Sequence, residues 1–394
     1  MKKGIRGLAL SVIVSTGVIA GGYKIPEQSL NSMALGAAYI AHTTSADTAY
    51  FNPANMAFLE EKQYVEGSLT LVHLPSIDYT LMTPYSGSSE EQNSVIPNAH
   101  YVAKSIGNFR WGVSLGVPGG LTKEWNSPYQ KAFAEEFTLK IIELNPSFSY
   151  KVTDTFAIGG GIRMVYSDGV VKSDAREIGK PFVVDMDGDT IEFGYNLALS
   201  YQPISDIALA ATYRSNVDLN EEGTATINGK SMDASVKVPL PAALNLAISK
   251  TWNDTFTLEA VYERTYWSTY KTLSFTGTPI PDTPKNWKDT NTFRLGATIV
   301  MNKITMMMGV AIDETPVPVE TLGFELPDSD AQIFSMGFRY QHTEHLSWGA
   351  ALLIDSKESI SIPRGVNPNP VLANGGSFNG GGAILTTLGM TYTF

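Results

Sequence analysis

In Phe334-Ser335-Met336-Gly337-Phe338-Arg339-Tyr340 every second residue is large and apolar, and the residues between are small, polar or basic. A period of two is the signature of a strand whose two faces meet different surroundings. The same pattern runs through Phe156, Ile158, Ile162, Met164 and Tyr166, with Ala157, Gly159, Gly161 and Arg163 on the other face. It recurs in Phe293, Leu295, Ala297 and Ile299 against Thr292, Arg294, Gly296 and Thr298, and in Leu388, Met390, Tyr392 and Phe394 against Gly389, Thr391 and Thr393. A soluble sandwich turns its bulky face to a core and its charges outward. A membrane barrel turns the bulky face to lipid and the small, polar face to the lumen. Period alone does not separate the two.

The spacing of the strands does. The alternating segments number about fourteen, an even count as a bacterial barrel requires. Their connections alternate in length. Short ones are Ile106-Gly107-Asn108, Thr153-Asp154, Ile204-Ser205, Asn253-Asp254, Asn302-Lys303 and Thr343-Glu344. Long ones, rich in Gly, Pro, Asn and Ser, cover 83–93, 119–135, 173–187, 219–237, 277–288, 315–329 and 362–378. Short periplasmic turns against long outer loops are expected of an outer-membrane barrel. The expected fold is therefore all-β: a transmembrane antiparallel barrel over residues 61–394.

Composition agrees. Of 394 residues only 17% are charged, and 35 Gly and 21 Pro supply many turns. With 39 acidic against 28 basic residues the chain lacks the basic footprint of a nucleic-acid binder. The absence of cysteine excludes disulfides and thiolate chemistry. Lys2, Lys3 and Arg6, then an apolar run from Leu8 to Ile19, then Val18 and Ala20 at small-residue positions, read as a secretory signal peptide over residues 1–20. After residue 20 no apolar run reaches the length of a membrane helix.

Residues 21–60 do not alternate. They are rich in Ala, Ser and Asn, with short helical stretches near 28–38 and 53–58, and with Asn52 and Pro53 placed as N-cap and first helical residue. So short a segment with little apolar surface does not fold alone. The expectation is a hatch that plugs the lumen; the alternative is a disordered periplasmic leader.

Gly22-Tyr23-Lys24-Ile25-Pro26-Glu27-Gln28-Ser29, followed by Ala46-Asp47-Thr48-Ala49-Tyr50-Phe51-Asn52-Pro53-Ala54-Asn55-Met56, resembles the N-terminal hatch of the FadL family of outer-membrane transporters. The resemblance continues through Ala211-Thr212-Tyr213-Arg214-Ser215, Leu240-Pro241-Ala242, Glu314-Thr315-Pro316-Val317-Pro318 and Leu326-Pro327-Asp328-Ser329-Asp330. It implies a monomeric fourteen-stranded barrel with a hatch carrying the motif Asn52, Pro53, Ala54. It further implies passive uptake of hydrophobic molecules, long-chain fatty acids first, with aromatic hydrocarbons or alkanes as the alternative. No cofactor or metal is implied. The partners are the hydrophobic cargo, outer-membrane lipid and, during biogenesis, the barrel-assembly machinery.

Several residues are candidates for the route. Pro118, Gly119 and Gly120 end the alternation of the third strand; Pro removes a ladder donor and Gly marks bulges. In the resembling family a kink here opens the wall; otherwise Pro118 simply ends the strand. Trp125, Tyr129, Phe133 and Phe137 recur every four residues, one face of a short helix that either receives cargo or packs on the rim. Arg294, Arg339 and Arg163 fall on the lumenal face, where each either meets a carboxylate head or pairs with acids such as Glu259 and Glu263. Arg294 is the leading candidate, although the residue that matches the family's basic position is Thr292. The stretch Asp185-Met186-Asp187-Gly188-Asp189 reads as a hairpin turn rather than a calcium loop. The competing function is a barrel lipase using His73 or His100 near the first loop, with no partner fixed for either.

Overall fold

The computed structural model describes residues 21–394; the expected signal peptide lies outside the described residues. The strands are β1 (Tyr64–Leu74), β2 (Gln92–Val102), β3 (Phe109–Glu124), β4 (Glu136–Lys151), β5 (Phe156–Asp174) and β6 (Val183–Ile204). β7 runs Ile207–Arg214 and resumes as Val217–Ile227; β8 runs Lys230–Leu240 and resumes as Ala243–Trp252. Then come β9 (Phe256–Thr265), β10 (Thr290–Met301), β11 (Ile304–Asp313), β12 (Ala331–Gln341), β13 (Leu346–Lys357) and β14 (Ala383–Thr393). Each pairs antiparallel with its sequence neighbour, and β1 closes on β14 with Tyr64 opposite Thr393. The result is a closed barrel, which leaves no sheet edge for a membrane to satisfy.

The two faces are sorted as the alternation requires. Met336 is 62% exposed and Phe293 is 59% exposed, while Ser335 and Arg294 between such residues are buried. A continuous exposed apolar band on this scale is out of place in water, where each such side chain forgoes roughly 1.5–3 kcal/mol of burial. Facing hydrocarbon it forgoes nothing. The small face has its own reason. A Cβ on Gly159 would lie 2.5 Å from the amide nitrogen of Ala54, and one on Gly309 would lie 2.1 Å from the carbonyl carbon of Leu35. Inward glycines leave room for the N-terminal segment to approach.

That segment holds two short helices, α1 (Leu30–Ala34) and α2 (Thr48–Phe51), and a 3-10 turn over Pro53–Phe58. Ser29 caps α1 by accepting from the amide of Ser32 at 3.1 Å. The capping role expected of Asn52 is not observed: its amide Nδ2 donates instead to the Ile40 carbonyl at 2.8 Å and to Ser200 Oγ on β6 at 2.9 Å. Other bonds tie the segment to inward faces around the barrel. Ser147 and Ser149 on β4 donate to the carbonyls of Ala49 and Ala54. Glu259 on β9 accepts from the successive amides of Ile40, Ala41 and His42. Ser335 on β12 donates to the Ala34 carbonyl.

Two further expectations fail. Residues 219–237 are not a loop: β7 and β8 continue as a hairpin beyond the band, turning at Asn228 and Gly229 with φ of 50° and 78°. Positive φ at both central residues is the geometry that Asn-Gly accepts in a type I′ turn. The acidic stretch 185–189 is not a turn either. It lies inside β6, paired with β5 on one side and β7 on the other.

Candidate functional site

β3 leaves its neighbour part-way up. It pairs with β2 only from Gly112 opposite Val102 to Leu115 opposite Ala99. β2 continues to Gln92 alongside β1, but without β3 on its other side. The two chains rejoin only where Ser89 bridges Trp125 and the Glu90 amide donates to the Glu124 carbonyl at 2.9 Å. Between those pairings the ladder has a gap. On the β4 side the register slips between Gly116 and Gly119. From Gly116 to Lys123 the alternation stops and every residue is buried, so β3 has turned inward there.

An inward-turned strand has lost half its hydrogen-bond partners, and the N-terminal segment replaces them. The Ile25 amide donates to the Pro118 carbonyl at 2.9 Å, and the Gly120 amide to the Tyr23 carbonyl at 2.8 Å. The Gln28 side chain brackets Val117, donating to its carbonyl at 2.8 Å and accepting from its amide at 2.7 Å. On the other rim the missing donor is built in. The Ala103 amide points to Trp111 of β3. Alternate residues of a strand share a side, so Pro97 faces the gap as well, without an N–H to leave unpaired. Sequence reading passed over Pro97; a proline inside an alternating run was the available signal.

The three lumenal arginines differ in what they hold. Arg163 gives Nε and Nη2 to Glu143, both at 2.9 Å, and Arg214 pairs with the same carboxylate. Arg339 bonds Asn31 of α1 at 3.0 Å, Glu66 at 3.0 Å, Ser347 and Thr391. Both are engaged within the protein. Arg294 is 4% exposed, meets Glu263 only at 3.5 Å, and among the described residues keeps Nε and Nη1 without a partner. Glu263 is held more closely by Lys24 of the N-terminal segment, at 2.6 Å. A buried guanidinium with free donors is costly unless something else fills them.

The aromatic four do not share a helix. The helix α3 spans Pro128–Ala134 and carries Tyr129 and Phe133; Phe137 begins β4, and Trp125 ends the bridge before the helix. Trp125 is fully buried, donates from Nε1 to the Phe324 carbonyl at 2.8 Å and packs edge-on to the Phe324 ring at 5.5 Å. Tyr129 and Phe133 pack partly buried against the same apolar cluster. Trp125 is therefore the core of an outer cap, not an open landing surface. Below the cap Tyr23 sits among Trp267, Tyr270 and Trp287, with ring centroids 4.8, 6.5 and 5.7 Å away. A cavity of about 20 Å³ beside Tyr23, Tyr270 and Trp287 is lined by Leu121, Leu139 and Val238 and also by Lys285 and Glu325.

The opposite end is polar. A space of about 950 Å³ opens among the short turns, lined by Thr43, Ser249, Thr251, Thr298, Gln341 and Thr393 among others. An apolar molecule passing this way would trade hydrocarbon for water at about 0.8 kcal/mol per CH₂. Of the two candidate histidines, His100 Nε2 lies 2.8 Å from the Gln28 carbonyl and His73 Nδ1 lies 2.9 Å from Asn93 Oδ1.

A closed barrel with an apolar exterior, a polar-floored lumen and short turns at one end is the architecture of a bacterial outer-membrane β-barrel protein. The chain belongs to the outer membrane protein transport protein family (OMPP1/FadL/TodX), which it matches over residues 11–394. The long-chain fatty acid transport protein of Salmonella typhi is 24% identical over 407 residues, covering 91% of this chain and 93% of that protein. A FadL homologue of Pseudomonas aeruginosa shares the fold with a TM-score of 0.84 at 21% identity, over 94% of this chain and 99% of that one. The toluene transporter TodX of P. putida does so with a TM-score of 0.73 at 17% identity, over 95% and 99%.

Proposed function

We propose that this outer-membrane transport protein is a monomeric passive channel for hydrophobic molecules, long-chain fatty acids first, which leave sideways through the gap at Pro118, Gly119 and Gly120. In this reading residues 21–60 are a hatch. Cargo enters past the cap formed by Trp125, Tyr129, Phe133 and Phe137, displaces part of the aromatic packing around Tyr23, and places any acid head at Arg294. The observation that carries the reading is the interrupted β2–β3 ladder above a polar floor. One path keeps an apolar chain out of water and the other does not, and downhill transfer into lipid needs no energy input. Arg294 supports an acid head because it alone of the three arginines has unfilled donors.

A second reading, aromatic hydrocarbons as cargo, is favoured by the cluster of packed rings at Trp267, Tyr270 and Trp287. Uptake by cells expressing the protein separates them. Labelled oleic acid faster than labelled toluene supports the first, and the reverse order supports the second. Uptake of neither, with the barrel present in the outer membrane, refutes both.

A further inference from the structure

Two consecutive glycines at the start of the described residues are seated against two buried carboxylates. The Gly21 nitrogen donates to Asp313 Oδ2, and the Gly22 amide donates to Asp328 Oδ2 at 3.0 Å. Asp313 ends β11 and is 4% exposed; Asp328 is 2% exposed. Both glycines are themselves buried. The socket admits no larger residue. A Cβ on Gly21 would lie 2.6 Å from the Glu314 carbonyl oxygen, and one on Gly22, where φ is 74°, would lie 2.6 Å from the Trp267 ring.

The two carboxylates differ in charge balance. Asp328 Oδ1 takes the Lys357 ammonium at 2.7 Å. Asp313 accepts from Thr292 Oγ1 on one oxygen and from Gly21 on the other, and among the described residues no side-chain cation pairs with it. Lys24 and Arg294 both pair with Glu263 instead. A buried carboxylate needs a countercharge. The group already in place to carry one is the Gly21 nitrogen.

We infer that Gly21 is the first residue of the mature protein and that its α-ammonium is the ion-pair partner of Asp313. The step that creates it is hydrolysis of the Ala20–Gly21 peptide bond by a leader peptidase. The C–N bond breaks, the oxygen of one water goes to Ala20, which leaves as a carboxylate, and both hydrogens end on the Gly21 nitrogen, which becomes an ammonium. An α-amine titrates at about 7.7–8.0, and an adjacent carboxylate favours its charged form. As a peptide amide the same nitrogen has one N–H and no charge. An uncut leader would therefore leave Asp313 uncompensated, and would have to continue from a buried residue. The consequence is mechanical. Tyr23, next in the chain, accepts from the Gly120 amide, and Ile25 donates to Pro118. The ion pair fixes the end of the stretch that replaces the missing neighbour of β3, so cleavage completes that arrangement.

The test compares two purified barrels refolded in detergent, one beginning at Gly21 and one that retains Ile19 and Ala20. The longer chain keeps the Gly21 N–H but moves the charge two residues away. Hydrogen exchange at the Ile25 and Gly120 amides should be roughly 10- to 100-fold faster in it, the loss expected for a hydrogen bond to a charged group. Asp313→Asn should speed exchange similarly in the chain beginning at Gly21 and add little in the longer one. The Gly21 amine should resist an acylating reagent at pH 7 in the folded barrel and react in Asp313→Asn. Protein isolated from the outer membrane should have the mass of a chain that starts at Gly21. A different first residue, equal exchange in the two chains, or an equal effect of Asp313→Asn in both overturns the inference. If the longer chain or the variant does not refold, the amine decides: free reactivity in the folded wild-type barrel overturns the ion pair, and protection supports it.

Discussion

The Gly120 amide donates to the Tyr23 carbonyl at 2.8 Å, and this bond joins the barrel wall to the segment inside it. Where β2 has left, residues 23–28 act as the neighbouring strand of β3. Backbone polar groups at membrane depth need internal partners, so the gap persists only while those residues stay in place. The N-terminal segment and the gap in the ladder are one construction: the first supplies the hydrogen bonds that let the second exist.

Deleting about residues 24–50 should therefore do two things. The lumen loses its filling, and the inward part of β3 loses its partners. In a planar bilayer the intact protein should hold low conductance, and the deletion should pass small ions. Equal low conductance of both forms would mean that residues 21–60 are not a plug.

A different anchor holds the far end of the segment. Arg110 on β3 is buried and donates to the carbonyls of Ala103, Met56, Leu59, Glu60 and Lys62, while its guanidinium lies 5.6 Å from the centre of the Tyr64 ring. Arg110→Ala orphans several of these carbonyls at about 1–3 kcal/mol for each one that stays buried. Arg110→Lys should not rescue, because an ammonium has three donors and no planar fork. The thermal midpoint of the purified barrel should drop for both. A Lys variant as stable as wild type would show that charge alone matters there.

The barrel was legible because its period is dictated by lipid. Phe334, Met336 and Phe338 must face hydrocarbon, and that forces the alternation seen in the sequence. The hairpin at 217–240 was not legible for the same reason. Beyond the lipid band Asn220, Glu222 and Thr224 face water, the apolar outer row vanishes, and only Asn228-Gly229 marks the turn. Trp125 was misread because a four-residue spacing looks alike in a helix and in a bridge followed by a helix and a strand. Arg110 depends on carbonyls distant in sequence and Glu27 on its burial, and no local pattern points to either; Pro97 was visible only as a proline inside an alternating run.

The Glu27 carboxyl gives the docked segment a pH dependence whose sign is fixed. Its ordinary value is 4.5 and its buried value is about 7, so between those values the docked state holds a proton that the undocked state has released. Stability of docking then falls as pH rises from 4.5 to 7 and levels off above, by about 3 kcal/mol for a shift of this size. Hydrogen exchange at the helix amides of Met33 and Leu35, corrected for intrinsic rate, should show protection falling over that window. Glu27→Gln should remove the slope. Persistence of the slope in that variant would assign it to another group.

Phe394 ends the chain beside Gln63, whose carbonyl accepts from its amide at 3.0 Å, and its ring packs 4.7 Å from that of Tyr392. Its side chain is exposed on the outward face. We expect its role in biogenesis, as part of an aromatic terminal strand read by the assembly machinery. Deleting Phe394 should lower the amount of heat-modifiable barrel in the outer membrane while leaving refolding into detergent intact. Normal membrane levels, or a defect in detergent as well, would contradict that division.

The route itself is tested at the rim. Filling the gap from β3 is a poor choice, since a Cβ on Gly119 would come 2.8 Å from the Tyr23 carbonyl and push on the N-terminal segment as well as on the gap. Pro97 on the opposite rim does not carry that penalty: it donates no hydrogen bond and pairs with Leu69 of β1 on its other side. The chain has no cysteine, so Pro97→Cys places a single thiol at the opening. Coupling a bulky maleimide to it should abolish uptake of labelled fatty acid, while the same label on Ala260→Cys, on the lipid face of β9, should leave uptake unchanged. Loss at both positions would mean that the label disturbs the barrel in general. Full uptake with the rim blocked would defeat sideways release. The polar space lined by Ser249, Thr251 and Thr298 would then have to carry the cargo, and the hatch would have to move out of its way.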